Sequence, residues 1–380
     1  MEKSIEDGTY LIEEAARGDY PFAQLIGMGK KLIREPAIFA LNFSDTTKQV
    51  VIIGGQGCGK SQLALQKAYI GIKRNVTPHV IFSPRKDFAV LAKLFPGRVH
   101  YVRWSDLPIN PIYHGGVQNE DVYRTGSVEI IKETGSMIAS EAVLKDIMDR
   151  AVGLGVTTWR DFVSYAFQIK PKELGTSAAW LDNVKRKIKQ LDNQFGKTVF
   201  RAIDNTHLQR IRKEGKSLII NTFGVQDEGY IQKLFLHAYT CPIIEEIDAS
   251  TKPSTENEVD FTFDESQNAL LQKDPDAQYV RRFIRMTCRA YRIGILPIAH
   301  NLSGIDRDNL NLAATKVVMA SGEQDLLMLR ETLGNAYPLA KGLMPREAMV
   351  LLRERIRQAL KIRTFNSPAS FFEIPDPQFL

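Results

Sequence analysis

The segment from residue 50 to residue 68 constrains the fold more than any other part of the chain. Residues 50–53 read VVII, an uninterrupted apolar run typical of a strand buried on both faces of a parallel sheet. GGQGCGKS follows at once as residues 54–61, and residues 62–68 (QLALQKA) read as a helix. A buried strand, a glycine turn ending in Lys-Ser and a helix predict a phosphate-binding loop, the Walker A motif.

The residue types in this loop fit a nucleoside triphosphate. Glycine at alternate positions lets backbone N–H groups turn inward around phosphates at the positive end of the helix. Lys60 is expected to reach the β- and γ-phosphates, and the Ser61 hydroxyl to ligate Mg²⁺. The alternatives are an ordinary glycine-rich turn or a dinucleotide site, and Lys60-Ser61 disfavours both. The predicted nucleotide-binding residues are Gly54, Gly55, Gln56, Gly57, Cys58, Gly59, Lys60, Ser61 and Gln62.

A second acidic element is expected on a neighbouring strand, and the best candidate is EVDFTFDES at 258–266. Apolar and polar residues alternate through 259–263 before Asp264 and Glu265. Asp264 is predicted to hold Mg²⁺, and Glu265 to polarise the water that attacks the γ-phosphate. An acidic pair after a strand is often only a solvated turn, but the upstream P-loop favours the catalytic interpretation.

A third strand is predicted at 293–299, and it ends at His300. At the carboxyl edge of a parallel sheet this side chain would face the nucleotide and could sense hydrolysis. The alternative is a histidine that caps the strand without a catalytic duty.

The arginine-rich segment 281–292 precedes this third strand, and much of it is expected to be the solvated face of a helix. Arg289 or Arg292 is predicted to act as an arginine finger on a neighbouring subunit, and the sequence does not choose between them.

Composition leaves these interpretations open and excludes others. The chain has 380 residues, enough for one α/β domain with a large insertion or for two domains. No apolar run approaches the roughly 20 residues of a membrane span. The three cysteines show no paired spacing, so a reducing cytoplasm is expected. A net charge of +6 permits a nucleic-acid partner without proving one.

The distance between the two motifs predicts an insertion, because a minimal P-loop core needs far fewer residues between them. Residues 178–195 place Leu181, Val184, Ile188, Leu191 and Phe195 at helical spacing. The opposite face of this helix carries four cations: Lys185, Arg186, Lys187 and Lys189. Segments 140–155 and 158–169 read as further amphipathic helices. The basic helix could gate or dock cargo, or it could be a solvated face.

The predicted organisation has five parts. They are an N-terminal extension (1–48) that includes a helix, the first part of the ATPase core (49–114), an all-helical insertion (115–214), the second part of the core (215–366) and a C-terminal tail (367–380). The tail is expected to dock on its own domain or on a neighbour. The predicted fold class is α/β, a RecA-like P-loop core with a mainly parallel central sheet flanked by helices.

These motifs together resemble the FtsK–HerA–VirD4 group of DNA-pumping P-loop ATPases. The resemblance covers most of 49–114 and 215–366, and it includes HVIFSPRKDFAVLAKLF at 79–95, LPINPI at 107–112 and SLIINTFGVQDEGYIQKLFLHAY at 217–239. Residues 342–365 resemble the closing hairpin of the group, although their spacing also suits a helix. The chain departs from the group at Ser83-Pro84-Arg85, where members have Asp-Pro-Lys, and at His300, where members have Gln.

The resemblance implies an ATP- and Mg²⁺-dependent motor that translocates double-stranded DNA as a homo-oligomeric ring, a hexamer in this group. It also implies a partner protein that loads cargo or forms a portal or channel, and a virus or mobile element is a fitting source. Two alternatives stay open. One is a P-loop ATPase that assembles a secretion or capsid machine without moving DNA. The other is a RecA-like ATPase that acts on single strands or on protein.

Overall fold

A single large sheet organises the molecule. The computed structural model describes residues 20–28, 31–41, 49–75, 77–133, 140–224, 228–250, 258–266, 279, 283, 288–300, 313–352 and 356–365. Within them the sheet has 11 strands in the order β2-β1-β11-β10-β9-β3-β8-β7-β4-β6-β5. The strands are β1 (Tyr20–Met28), β2 (Lys31–Leu41), β3 (Val50–Ile53), β4 (His79–Ser83), β5 (Val99–Arg103), β6 (Ser217–Asn221), β7 (Val259–Phe263), β8 (Ile293–Ala299), β9 (Thr315–Met319), β10 (Glu347–Leu352) and β11 (Ile356–Arg363).

Helices cover both faces of this sheet. They are α1 (Lys60–Arg74), α2 (Val90–Leu94), α3 (Glu120–Glu133), α4 (Glu141–Gly153), α5 (Trp159–Gln168), α6 (Pro171–Leu174), α7 (Ala178–Leu191), α8 (Thr206–Lys213), α9 (Glu228–Asp248), α10 (Cys288–Ala290), α11 (Glu323–Met328), α12 (Arg330–Leu333) and α13 (Tyr337–Ala340). The predicted α/β class, a sheet flanked by helices, is therefore confirmed.

The two halves of the sheet differ in strand direction. From β9 to β5 every pairing is parallel, and β3 lies between β9 and β8. From β9 outward, β10, β11, β1 and β2 pair antiparallel. Because parallel strands all end at one edge, the residues that follow β3, β4, β7 and β8 come together there.

Strand β3 shows how the sheet is buried on both faces. Val50 and Ile52 pack in the apolar cluster with α1, whereas Val51 and Ile53 pack with α11–α13 on the other face. All four side chains are at most 1% exposed, as the VVII run predicts. Packing on both faces holds β3 in place in the sheet, and it therefore also fixes where the P-loop begins.

The described residues between β5 and β6 form helices and short turns without a strand. Trp159 is fully buried at their centre, with Phe162 and Phe200 in ring contact. The predicted amphipathic helix is α7, and Leu181, Val184, Ile188 and Leu191 are buried on its inner face. One expectation is wrong: Lys187, predicted on the solvent face, is only 7% exposed because it lies three residues after Val184, on the buried side of the helix.

The structure tests only some of the predictions for the regions near the two ends of the chain. Within 342–365, β10 and β11 pair antiparallel, so the helical alternative is wrong for these two strands. The helix expected within 1–48 does not fall on residues 20–28 or 31–41, which are strands, and the other residues of that extension lie outside the described part. The tail 367–380 also lies outside it. Within the described ranges, no helix combines the length and apolar character needed to cross a membrane.

Candidate functional site

The P-loop leaves β3 in a conformation that depends on glycine. Gly57 and Gly59 have φ angles of 73° and 103°, in the region that side-chain-bearing residues rarely adopt. A Cβ on Gly54 would lie 2.7 Å from the Cys58 sulfur. The backbone N–H of Gly55 donates to the Ala320 carbonyl at 2.8 Å, which ties the loop to the end of β9. The loop is therefore held open as a backbone cradle at the start of α1.

Lys60 folds back over this cradle. Its ammonium donates to the Gly54 carbonyl at 2.8 Å and to the Gly55 carbonyl, and the side chain is almost completely buried. Burial lowers the pKa of Lys60, opposed by the nearby Cys58 and Asp264. Among the residues that the structure describes, the ammonium bonds two carbonyl oxygens and the Cys58 sulfur of the loop, partners that phosphate oxygens could replace.

The remaining predicted nucleotide-binding residues lie around the same turn. Gln56 and Gln62 are exposed, whereas Cys58 is buried. The Cys58 carbonyl accepts from the N–H of Arg346, at the entrance to β10, at 2.9 Å. The entrance to the hairpin of β10 and β11 therefore holds the P-loop backbone by a hydrogen bond.

Asp264 meets the P-loop although 203 residues separate it from Ser61. Its two carboxylate oxygens accept from the hydroxyls of Ser61, at 3.4 Å, and of Ser83, at 3.0 Å. The side chain is fully buried, and burial raises the pKa of Asp264 while the Ser83 hydrogen bond opposes that rise. A carboxylate and a hydroxyl side by side are the hard oxygen ligands that Mg²⁺ prefers.

Glu265 follows in a left-handed backbone conformation, with φ of 59°. Its carboxylate is a quarter exposed and pairs with the Arg85 guanidinium at 3.2 Å. His300 Nε2 lies 3.7 Å from the same carboxylate oxygen. Burial and the Lys60 charge lower the pKa of His300, so its ring is neutral at pH 7 and the contact is not an ion pair.

Two residues at the end of β4 join the site without having been predicted as site residues. Ser83 holds Asp264, and Arg85 holds Glu265. The available signal was the Ser-Pro-Arg that replaces Asp-Pro-Lys at this strand end. What the sequence could not show is that β4 is the parallel neighbour of β7, with Phe82 opposite Phe263.

The two candidate arginine fingers lie away from the P-loop edge. Arg292 precedes β8 at the amino edge of the sheet, where its guanidinium pairs with Glu258 at 2.9 Å. Arg289 lies in α10, and its side chain is outside the described part. Any action on a neighbouring subunit therefore stays a prediction for both residues.

Comparisons with known proteins place the fold. No protein-family model matches the chain, and no curated protein matches it. Among solved structures, VirB4 of Thermoanaerobacter pseudethanolicus superposes with a TM-score of 0.66 at 14% identity, over 93% of this chain and 98% of that one. The plasmid coupling protein TrwB with a non-hydrolysable GTP analogue gives 0.66 at 13% identity, over 98% and 94%.

TrwB with ADP and Mg²⁺ gives a TM-score of 0.60 at 12% identity, over 98% of this chain and 93% of that one. At such identities the likeness shows the fold alone. The RecA-like P-loop fold expected from the FtsK–HerA–VirD4 resemblance is therefore confirmed for the chain as a whole.

Proposed function

We propose that this chain is an ATP-driven motor that translocates double-stranded DNA as a homo-oligomeric ring, a hexamer. One observation carries the proposal: the P-loop lysine and serine, the paired acids after β7 and the arginine after β4 converge at one sheet edge. The fold supports it, because the proteins that share it include a conjugative coupling protein. The net charge of +6 suits a polyanionic partner.

ATP and Mg²⁺ fit the residues present. Lys60 would bind the β- and γ-phosphates, and the cradle N–H groups would surround them. Ser61 and Asp264 would hold Mg²⁺, directly or through its water. When bound, Mg²⁺ neutralises charge that develops on the phosphate oxygens.

Glu265 is the general base in this proposal. Its carboxylate is partly exposed, so a water can reach it, and Arg85 fixes its orientation. His300 donates to or accepts from that water as a neutral ring. Arg289 or Arg292 of the next subunit completes the site in trans and couples neighbours. Cargo reaches the ring through a loading or portal partner.

The proposal is tested by displacement of a third strand from duplex DNA. The protein with ATP and Mg²⁺ should release the third strand, whereas Lys60→Ala should not. ATP hydrolysis stimulated by duplex DNA without release would favour a machine-assembling ATPase. Stimulation by single strands alone would favour a RecA-like ATPase on single strands. Either result would contradict translocation of double-stranded DNA.

A further inference from the structure

A second concave site lies beside the predicted ATP site. The carboxyl ends of β4, β5 and β6 enclose a cavity of about 640 Å³. Its walls include Lys86, Arg103, Trp104, Ser105, Asn221 and Phe223. No residue of the P-loop lines this cavity, and neither acid of the predicted ATP site does. The space is therefore separate from the nucleotide cradle, although both open at the same sheet edge.

The charge of this cavity favours an anion. Lys86 and Arg103 are exposed, and neither forms an ion pair with a carboxylate among the residues that the structure describes. None of the lining residues that the structure describes is acidic. Two cations without carboxylate partners on one concave wall attract phosphate groups more strongly than isolated surface cations do.

The aromatic residues of the cavity narrow the class of anion. Phe223 is 78% exposed, which is unusual for so large an apolar side chain. Trp104 is partly exposed, and its ring is held edge-to-face on Phe195 at 6.3 Å. Rings beside cations match nucleic acid, which offers phosphates to the cations and sugar and base faces to the rings. An acidic peptide would satisfy the cations but would leave the rings without a matching surface.

The wall of the cavity is also the loop that holds the paired acids. Pro84 and Lys86 line the cavity, and Arg85 between them pairs with Glu265. The Arg85 N–H donates to the Ser83 hydroxyl at 3.2 Å, and that hydroxyl donates to Asp264. A displacement of this short segment therefore changes the positions of both acids.

We infer that this cavity binds the phosphodiester backbone of nucleic acid, and that the segment 84–86 transmits its occupancy to Glu265. The inference rests on the proposed function, which supplies a nucleic-acid partner. A phosphate that draws Lys86 into the cavity moves Arg85 with it. The change in the Arg85–Glu265 ion pair then reorients the carboxylate that activates water, so bound nucleic acid sets the rate of hydrolysis.

The test compares two double variants that remove the same charge. Lys86→Ala with Arg103→Ala removes both cations from the cavity wall. Arg160→Ala with Lys172→Ala removes two exposed cations from the insertion. Binding of a labelled duplex and of its single strand is measured by anisotropy across salt concentrations, together with ATP turnover. The cavity variant should bind about tenfold more weakly, and the slope of log affinity against log salt should fall by about two.

Measurements of ATP turnover distinguish a loss of DNA binding from a loss of its transmission to Glu265. The cavity variant should keep its turnover without DNA but lose stimulation by DNA, and the insertion variant should behave as wild type. Arg85→Ala should keep DNA affinity and lose stimulation. Phe223→Ala identifies which part of the nucleic acid contacts the ring. A loss of affinity confined to the single strand indicates base stacking, and a loss of affinity for both forms indicates backbone contact.

Two outcomes would overturn the inference, and they are distinguishable. If wild type binds DNA and the cavity variant binds it equally well, the cavity is not the site while the proposed function stands. If wild type hydrolyses ATP but neither binds DNA nor responds to it, the proposed function fails and the cavity assignment fails with it. Thermal unfolding of each variant, and a second cavity variant with Gln at both positions, exclude misfolding as a cause.

Discussion

Two buried polar centres in this molecule are built in opposite ways. Asn110, between β5 and α3, is saturated: its amide nitrogen donates to the carbonyls of Thr157 and Ile203, each at 2.7 Å. Its amide oxygen accepts from the N–H groups of Ile112 and Tyr113, each at 3.0 Å. Asp264 is equally buried, but within the described ranges its carboxylate accepts from two side-chain hydroxyls, one of them at 3.4 Å.

The difference shows how to separate structural from functional polar groups. A carboxylate has about four lone-pair sites, so Asp264 keeps unused acceptor capacity beside the P-loop. Asn110 has used all its capacity and can hold only the fold. The comparison therefore predicts that changes at the phosphate edge alter turnover and leave stability, while changes at Asn110 do the reverse.

The largest expected effect is on turnover at the phosphate edge. Lys60→Ala removes the ammonium that would bind the transferred phosphate, and ATP turnover should fall by about a thousandfold. Lys73→Ala, an exposed lysine at the other end of α1, is the matched control and should hydrolyse ATP as wild type does. Unaltered turnover in Lys60→Ala would place the active site elsewhere. A large fall in the unfolding temperature of this variant would contradict the prediction that changes at the phosphate edge leave stability unchanged.

A smaller effect, on stability, is expected at Asn110. Asn110→Ala removes the side chain that hydrogen-bonds five backbone groups, and it should lower the free energy of unfolding by about 3 kcal/mol. Asn183→Ala, exposed on α7, should leave it unchanged. Denaturant titration measures both. If Asn110→Ala were as stable as wild type but inactive, the structural assignment of this residue would be wrong.

The smallest effect is a pH dependence at His79, a third kind of buried polar group. No described residue hydrogen-bonds either ring nitrogen of His79. Burial lowers the pKa of His79 to about 4, opposed by Asp260, while the Lys67 charge adds to the lowering. Lys67 and Asp260 themselves form a buried ion pair at 2.6 Å beside the ring. His79 is therefore neutral in the folded protein. Unlike Asn110 it has no described hydrogen-bond network, and unlike Asp264 it has no proposed ligand.

The sign of this dependence follows from the lowered pKa. The contribution of His79 to stability is fully present above the unfolded pKa of about 6.5 and is lost as pH falls from there through the folded pKa of about 4. Between pH 7.5 and 5.5 wild type should therefore lose about 1 kcal/mol more than His79→Leu. Equal losses in the two proteins, measured by denaturant titration at both pH values, would show that the ring is hydrated or already charged.

The sequence predicted the local elements of the site well. The VVII run became β3, the glycine turn and α1 followed, and Asp264 and Glu265 come directly after β7. Each of these depends on residues near one another in sequence, where periodicity and turn chemistry decide the structure. The close approach of Asp264 to the P-loop was expected from the roles of the two motifs rather than from either segment alone.

What was missed depends on which strands become neighbours. In the sequence Arg85 is notable only as part of the Ser-Pro-Arg that replaces Asp-Pro-Lys, and its contact with Glu265 depends on β4 lying beside β7. Asp260 looked like the polar side of an alternating strand, yet it is buried against Lys67. The strands β1 and β2 extend the sheet through β11, a pairing that joins opposite ends of the chain. Long-range pairing of this kind leaves no local pattern to read.

The most direct test of the central claim is ATP turnover by Glu265→Gln, measured beside its affinity for ATP. Glutamine keeps the size of the side chain but cannot accept a proton, so ATP should bind as in wild type while turnover falls by about 10²–10⁴-fold. Glu323→Gln, at a largely exposed carboxylate on α11, is the control and should hydrolyse ATP normally. Normal turnover by Glu265→Gln would contradict the account, because the acids beside the P-loop would then not be the hydrolytic site.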